Sequence, residues 1–175
     1  MSTSLVSELE RLADVLESDG AGAVEGSLPA VAEKIARELR VKADEVAILA
    51  VSDRRRHLYF LVPHVLKNVG FIPLTSNSAL AARTARDSRP EINNNFSAVR
   101  HAAVFEGVKT ATAKSIQKII SAPILFEEKV VGAMQISRKG GSLVSAGPDF
   151  TPEELGRVLA ICKPLGKLVS LVAGE

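Results

Sequence analysis

The sequence predicts an α+β domain, and three observations carry that prediction. Apolar side chains recur at helical spacing at both ends of the chain, and two hairpins of strand-like period lie between them. The second hairpin, SIQKIISAPILF, EEK, VVGAMQISRK over residues 115–139, is apolar on both faces. In its second strand Val130, Gly132, Met134 and Ile136 alternate with Val131, Ala133, Gln135 and Ser137, so neither face can be left in water. This ribbon is expected at the covered centre of an antiparallel sheet. The terminal helices would pack on one face and a mixed helix and loop segment on the other.

Taken in order, Leu5, Leu9, Leu12 and Leu16 form one helical stripe, Gly20 ends it, and GAGAVEG reads as a loop. A second helix is expected over Leu28 to Leu39, with Pro29 near its start, where a missing N–H costs least. Glu45–Ser52 and His57–Pro63 are rich in β-branched and aromatic residues and form the first hairpin, turning through Asp53–Arg56. The basic tip Arg54-Arg55-Arg56-His57 suits either a solvated loop or an anion. Gly70–Thr75 reads as a short strand, Ser78–Ser88 as a small helix, PEIN as an edge strand and Asn93-Asn94-Asn95 as a turn. Ser97 to Val108 reads as a further helix and Thr110–Lys114 as a connection. In the last helix Thr151 caps, Pro152 takes the first position and Glu154 completes a capping box, with Phe150 and Leu155 as the hydrophobic staple. A stripe from Leu155 to Val172 follows, and Pro164 within it predicts a kink or break near Lys163.

The 175 residues suit one domain, with leading helices over 1–40, sheet and pocket segment over 44–150 and a final helix over 151–173. With 22 Lys and Arg against 20 Asp and Glu, overall charge offers no reason to expect nucleic acid or an anionic membrane as partner. One cysteine, Cys162, excludes an internal disulfide and fits a reducing compartment. Neither a signal peptide nor a membrane-spanning apolar run is visible, so a cytoplasmic protein is expected. His57, His64 and His101 lack metal-ligand spacing, and no GxSxG, P-loop or paired-carboxylate motif occurs.

Three segments resemble the GAF domain. SAPILFEEKVVGAMQISRK resembles the family's strand pair, in which a small residue and proline (Ala122-Pro123) open one strand and a glycine (Gly132) begins the next. PDFTPEELGRVLAICKPLGKLVS resembles the phenylalanine-led final helix, and ALAARTARDSRPEINN the short helix and asparagine-containing strand of the middle. The resemblance covers essentially the whole chain and implies a GAF-like fold of the profilin-like or PAS-like kind. It places Pro123 in a central strand, where a bulge or kink is implied, and lets backbone or ligand approach Gly132 closely.

GAF domains act as regulatory modules that bind small molecules or dimerise, and generally lack catalysis. The resemblance therefore implies a non-enzymatic sensor that binds a small molecule and acts through an output protein of unknown identity. The leucine stripes at both ends of the chain suit homodimerisation through the terminal helices, or alternatively a ligand-free interaction module, and any cofactor is unknown. The implied pocket lies between the sheet and the segment Gly70 to Val108, placing Phe71, Leu74, Leu80, Asn93, Asn94, Arg100, Val104 and Phe105 near it, with Met134 and Ile136 as its floor. Ordinary core packing accounts equally for the apolar members of that set. Arg138-Lys139 and Phe150 echo the motif of cyclic-nucleotide-binding members, but its asparagine is absent and Glu153-Glu154 comes one residue early. Cys162 is misplaced for bilin attachment, and one cysteine cannot supply the disulfide of the members that reduce free methionine sulfoxide.

Overall fold

Among the described residues, every strand pairs antiparallel with its neighbours. The computed structural model describes residues 4–52, 54, 56–63, 71–77, 79–96 and 115–173. The chain runs α1 (Leu5–Leu16), α2 (Ala21–Leu39), a 3-10 turn (Ala43–Glu45), β1 (Val46–Ser52), β2 (His57–Val62) and β3 (Ile72–Pro73). It continues through α3 (Leu80–Asp87), β4 (Glu91–Asn93), β5 (Ser115–Phe126), β6 (Lys129–Gly140) and α4 (Pro152–Ala173). The sheet order is β3-β2-β1-β6-β5-β4, which puts β6 in the interior beside its hairpin partner. The expectation for the 115–139 ribbon therefore holds.

Each sheet face carries its own apolar layer. Val46, Ile48, Ile120, Ala122, Ile124, Met134 and Ile136 point to the side covered by α1, α2 and α4. Ala47, Leu49, Leu58, Phe60, Ile116 and Ile119 point to the other, covered among the described residues by Ile72, α3 and Phe96. Alternation is broken where a strand carries one extra residue. Ile124 opposes Gly132 while Leu125 opposes Val130, so Val131 is the extra residue. Val130 consequently packs on the α3 side, and not on the face of Met134 as strict alternation predicts.

Pro123 sits in the β5–β6 ladder opposite Ala133, one residue before that bulge. The β4 ladder ends at Glu91 opposite Ser121, so Pro123 lies past it, and no third strand among the described residues pairs there. A proline keeps its place in a paired strand only when the N–H it lacks would have pointed away from the partner.

Two backbone approaches need glycine. A Cβ at Gly132 would collide with the Leu49 carbonyl of β1 and crowd Val169 of α4. One at Gly166 would collide with the Leu125 carbonyl, so α4 lies directly on the end of β5.

α2 departs from expectation, and α4 lacks the break that was one of the two outcomes expected at Pro164. α2 begins at Ala21, not at Leu28, so GAGAVEG is helical and Pro29 lies inside the helix. Val24, Leu28, Val31, Ile35 and Leu39 are all buried against the sheet, and this continuous stripe outweighs the poor helix propensity of glycine. α4 runs unbroken from Pro152 to Ala173 with Pro164 inside it. Val158, Ile161, Cys162, Leu165, Leu168 and Val169 are buried on both sides of the proline, and that packing holds the two halves in one helix. The predicted capping box is present: Glu154 N–H donates to Thr151 Oγ1 at 3.2 Å, and Thr151 N–H donates to Glu154 Oε1 at 3.0 Å. Among the described residues, no helix is long and apolar enough to cross a membrane.

Candidate functional site

Within the apolar layer on the α3 side of the sheet lies a buried chain of polar side chains. Ser121 on β5 and Gln135 on β6 are cross-strand partners, and both are fully buried. Thr84 of α3 stands above them with its Oγ1 2.7 Å from Ser121 Oγ, while the same hydroxyl donates to Leu80 O at 2.9 Å. One hydroxyl has one proton, so Ser121 must donate to Thr84, and Gln135 Nε2 donates in turn to Ser121 Oγ at 3.3 Å. Donors and acceptors are thereby ordered from the middle of the sheet into α3. Such a chain inside an apolar layer costs desolvation that plain core packing would avoid.

The predicted site residues divide between the two faces. Leu80 is buried in the α3 layer and Leu74 packs against it. Phe71 is 53% exposed, its ring 4.3 Å from that of His57. Asn93 closes the expected turn by accepting from Asn95 N–H at 2.8 Å. Asn94 is committed elsewhere: it accepts from Phe150 N–H at 2.8 Å and donates to Phe150 O at 3.1 Å. Met134 and Ile136 do not floor the α3 side, since both are buried beneath the terminal helices. Their neighbours take that place: Ala133 pairs with Leu49 and Gln135 with Ala47, both of the α3 layer. Arg100, Val104 and Phe105 lie outside the described residues, as does the helix expected over 97–108.

Thr84, Ser121 and Gln135 were not singled out in the sequence. The available signal was polar residues at inward positions of strands otherwise built from Ile, Ala and Met. Two of them fall opposite each other only once the register is known.

Arg138, Lys139 and Phe150, which echo a ligand motif, are engaged within the fold. Arg138 is 6% exposed, stacks 4.1 Å over the Phe150 ring, and donates to Pro148 O at 2.9 Å and Glu154 Oε2 at 3.0 Å. Lys118, also buried, donates to Gly147 O at 2.6 Å and pairs with Asp149 at 2.8 Å. Lys139 donates from Nζ to Asp44 O, and burial holds its pKa below the ordinary lysine value against the opposing pull of Asp44 and Glu45. These contacts fasten the β6–α4 loop and the 3-10 turn to the sheet. Cys162 is buried on α4, where burial pushes its thiol pKa up to about 12. A concavity of about 500 Å³ runs between α1 and α2, lined by Leu9, Leu12, Val15, Val31 and the stems of Glu8 and Lys34.

No known family profile matches the sequence, and no curated protein is detectably related. Solved structures do match. The GAF domain of an Acinetobacter phosphoenolpyruvate-protein phosphotransferase aligns with a TM-score of 0.65 at 13% identity, over 97% of this chain and 95% of that one. This chain has the GAF fold. Residues 122 to 287 of a methyl-accepting chemotaxis protein align with a TM-score of 0.68 at 13% identity, over 98% of this chain and 100% of that one. The type II free methionine-R-sulfoxide reductase of Thermoplasma acidophilum aligns with a TM-score of 0.63 at 14% identity, over 86% of this chain and 94% of that one. At such identities the likeness concerns the fold, and the same GAF architecture serves an enzyme in one case and a phosphotransferase's domain in another.

Proposed function

We propose that this chain is a sensory, regulatory domain that binds a small molecule on the α3 side of its sheet and acts through a partner protein. The carrying observation is the buried Gln135–Ser121–Thr84 chain, which sets ordered polar groups within an apolar layer, the composition of small-molecule sites. On this reading Leu74 and Leu80 supply apolar wall, Thr84, Ser121 and Gln135 supply polarity, and Phe71 and Asn93 stand at the rim. Arg100, Val104 and Phe105 complete the set. The reading includes no catalysis: the sole thiol, Cys162, is buried on the opposite side and held protonated.

Native mass spectrometry and a thermal-shift screen of nucleotides and metabolites test it. A ligand at a hundred times its Kd adds about 2.7 kcal/mol, roughly a 5–10 °C rise in Tm for a domain of this size. Thr84→Val should abolish that response. No retained ligand and no stabilisation by any compound at saturation overturns the reading.

The groove between α1 and α2, with Val15 64% exposed beside it, favours a second reading as a ligand-free dimerisation module. Leu9 is 1% exposed and belongs to the core, so a charge there would unfold the chain. Val15→Glu is the informative variant, and a wild type that sediments as a monomer at high concentration removes this reading.

A further inference from the structure

Asn94 lies just past β4, yet its side chain is spent on the backbone of a residue far along the chain. Its carboxamide both accepts from and donates to Phe150, as a peptide group in a strand would. The two ends of this bridge belong to different layers. On one side, Phe96 two residues on is 2% exposed within the α3 layer, and Glu91 at the start of β4 receives Arg83 of α3 at 2.9 Å. On the other, Phe150 is buried in the helix layer and immediately precedes the Thr151 cap of α4. Arg138 lies over its ring and grips Glu154 in the first turn of α4. The intervening sheet is packed on both faces and gives little. A side-chain bridge that joins the layers around the sheet is the more compliant route.

We propose that Asn94 is the coupling residue between the α3 layer and the first turn of α4, so that a change of packing around Phe96 alters the seating of Phe150 and the stability of that turn. The proposal rests on the α3 side being the ligand side, but its test needs no ligand, so either can fail alone. Coupling is demonstrated by a two-site perturbation and not by adjacency.

Amide exchange would be followed by NMR in the wild type, Phe96→Leu, Asn94→Ala and the double variant. The amides of Leu155 and the two residues after it are compared with those of β6, which report global opening. In the Asn94 background, Phe96→Leu should speed exchange in the α4 turn fivefold or more beyond any change in β6. In the Asn94→Ala background that excess should fall below twofold. An excess of equal size in both backgrounds, or none in the Asn94 background, overturns the proposal. If Asn94→Ala does not fold, Asn94→Asp serves in its place, since it keeps the acceptor for Phe150 N–H and removes the donor to Phe150 O.

Discussion

Cys162 should behave as an inert hydrophobe despite being a thiol. Burial holds it protonated, and only the thiolate reacts, so a disulfide reagent at pH 8 should label the native protein only as fast as the protein unfolds. Rapid stoichiometric labelling under native conditions would contradict the packing of α4. Lys139 makes a prediction of opposite pH sense. Its folded pKa is depressed, so between that value and the unfolded value of about 10.4 the unfolded chain binds more protons and stability rises with pH. Cys162, whose folded pKa is raised, contributes the opposite trend above about pH 9, so denaturant titrations should show a stability-versus-pH slope that is more positive in the wild type than in Lys139→Met. The glycines separate just as sharply. Gly132→Ala on β6 and Gly166→Ala on α4 each drive a methyl into a neighbouring strand's carbonyl, and overpacking against backbone should cost about 3 kcal/mol. Gly156→Ala, on the same helix as Gly166 but with open space at its Cβ, should instead stabilise by about 0.5–1 kcal/mol.

At the scale of single elements, the β5–β6 turn is built from unfavourable residues. Phe126 pairs with Lys129, and the two loop residues Glu127 and Glu128 have φ of 51° and 67°. Positive φ at both positions is the geometry that Asn-Gly prefers. Replacing the pair by Asn-Gly should stabilise by about 1 kcal/mol, roughly 2–4 °C in Tm by calorimetry, and an unchanged or lower Tm would contradict the turn. Elements with local signals were legible in the sequence: the caps of α4, both hairpins, the turn at Asn93 and the short strand PEIN announce themselves through side chains that act on their own backbone. GAGAVEG carries loop-like residues, yet it is helical because Val24 is buried, which no local rule reports. Of the kink or break expected near Lys163, the break does not occur, for the same reason. The local cost of Pro164 is real, but the buried stripe on both sides of it outweighs that cost.

For the whole molecule, the α+β class and the covered central ribbon followed from two periods and their order along the chain. The site did not follow as readily. Register shifts at Ile48/Leu49, Ile116/Lys118 and Ile124/Leu125 break the alternation, so which side of the sheet a residue faces depends on register, and register is a long-range property. Met134 and Ile136 were assigned to the α3 side on likeness, and they face the terminal helices. Ser121 and Gln135 look like ordinary polar interruptions until the ladder sets them opposite each other beneath Thr84. A site assembled from α3, β5 and β6 has no signature in any one segment.

The position of Pro123 has a consequence between molecules. Among the described residues, no third strand pairs with the outer margin of β5 beyond Ser121, and Pro90 and Pro123 stand at the two sides of the point where the β4 pairing stops. An open margin with a full row of N–H donors would invite a strand from a second copy, the first step toward fibrous or amorphous self-association. The missing donor interrupts that row. Pro123→Val should leave the monomer folded yet raise light scattering on prolonged incubation, and a variant as quiet as the wild type would show that α4 alone shields this margin.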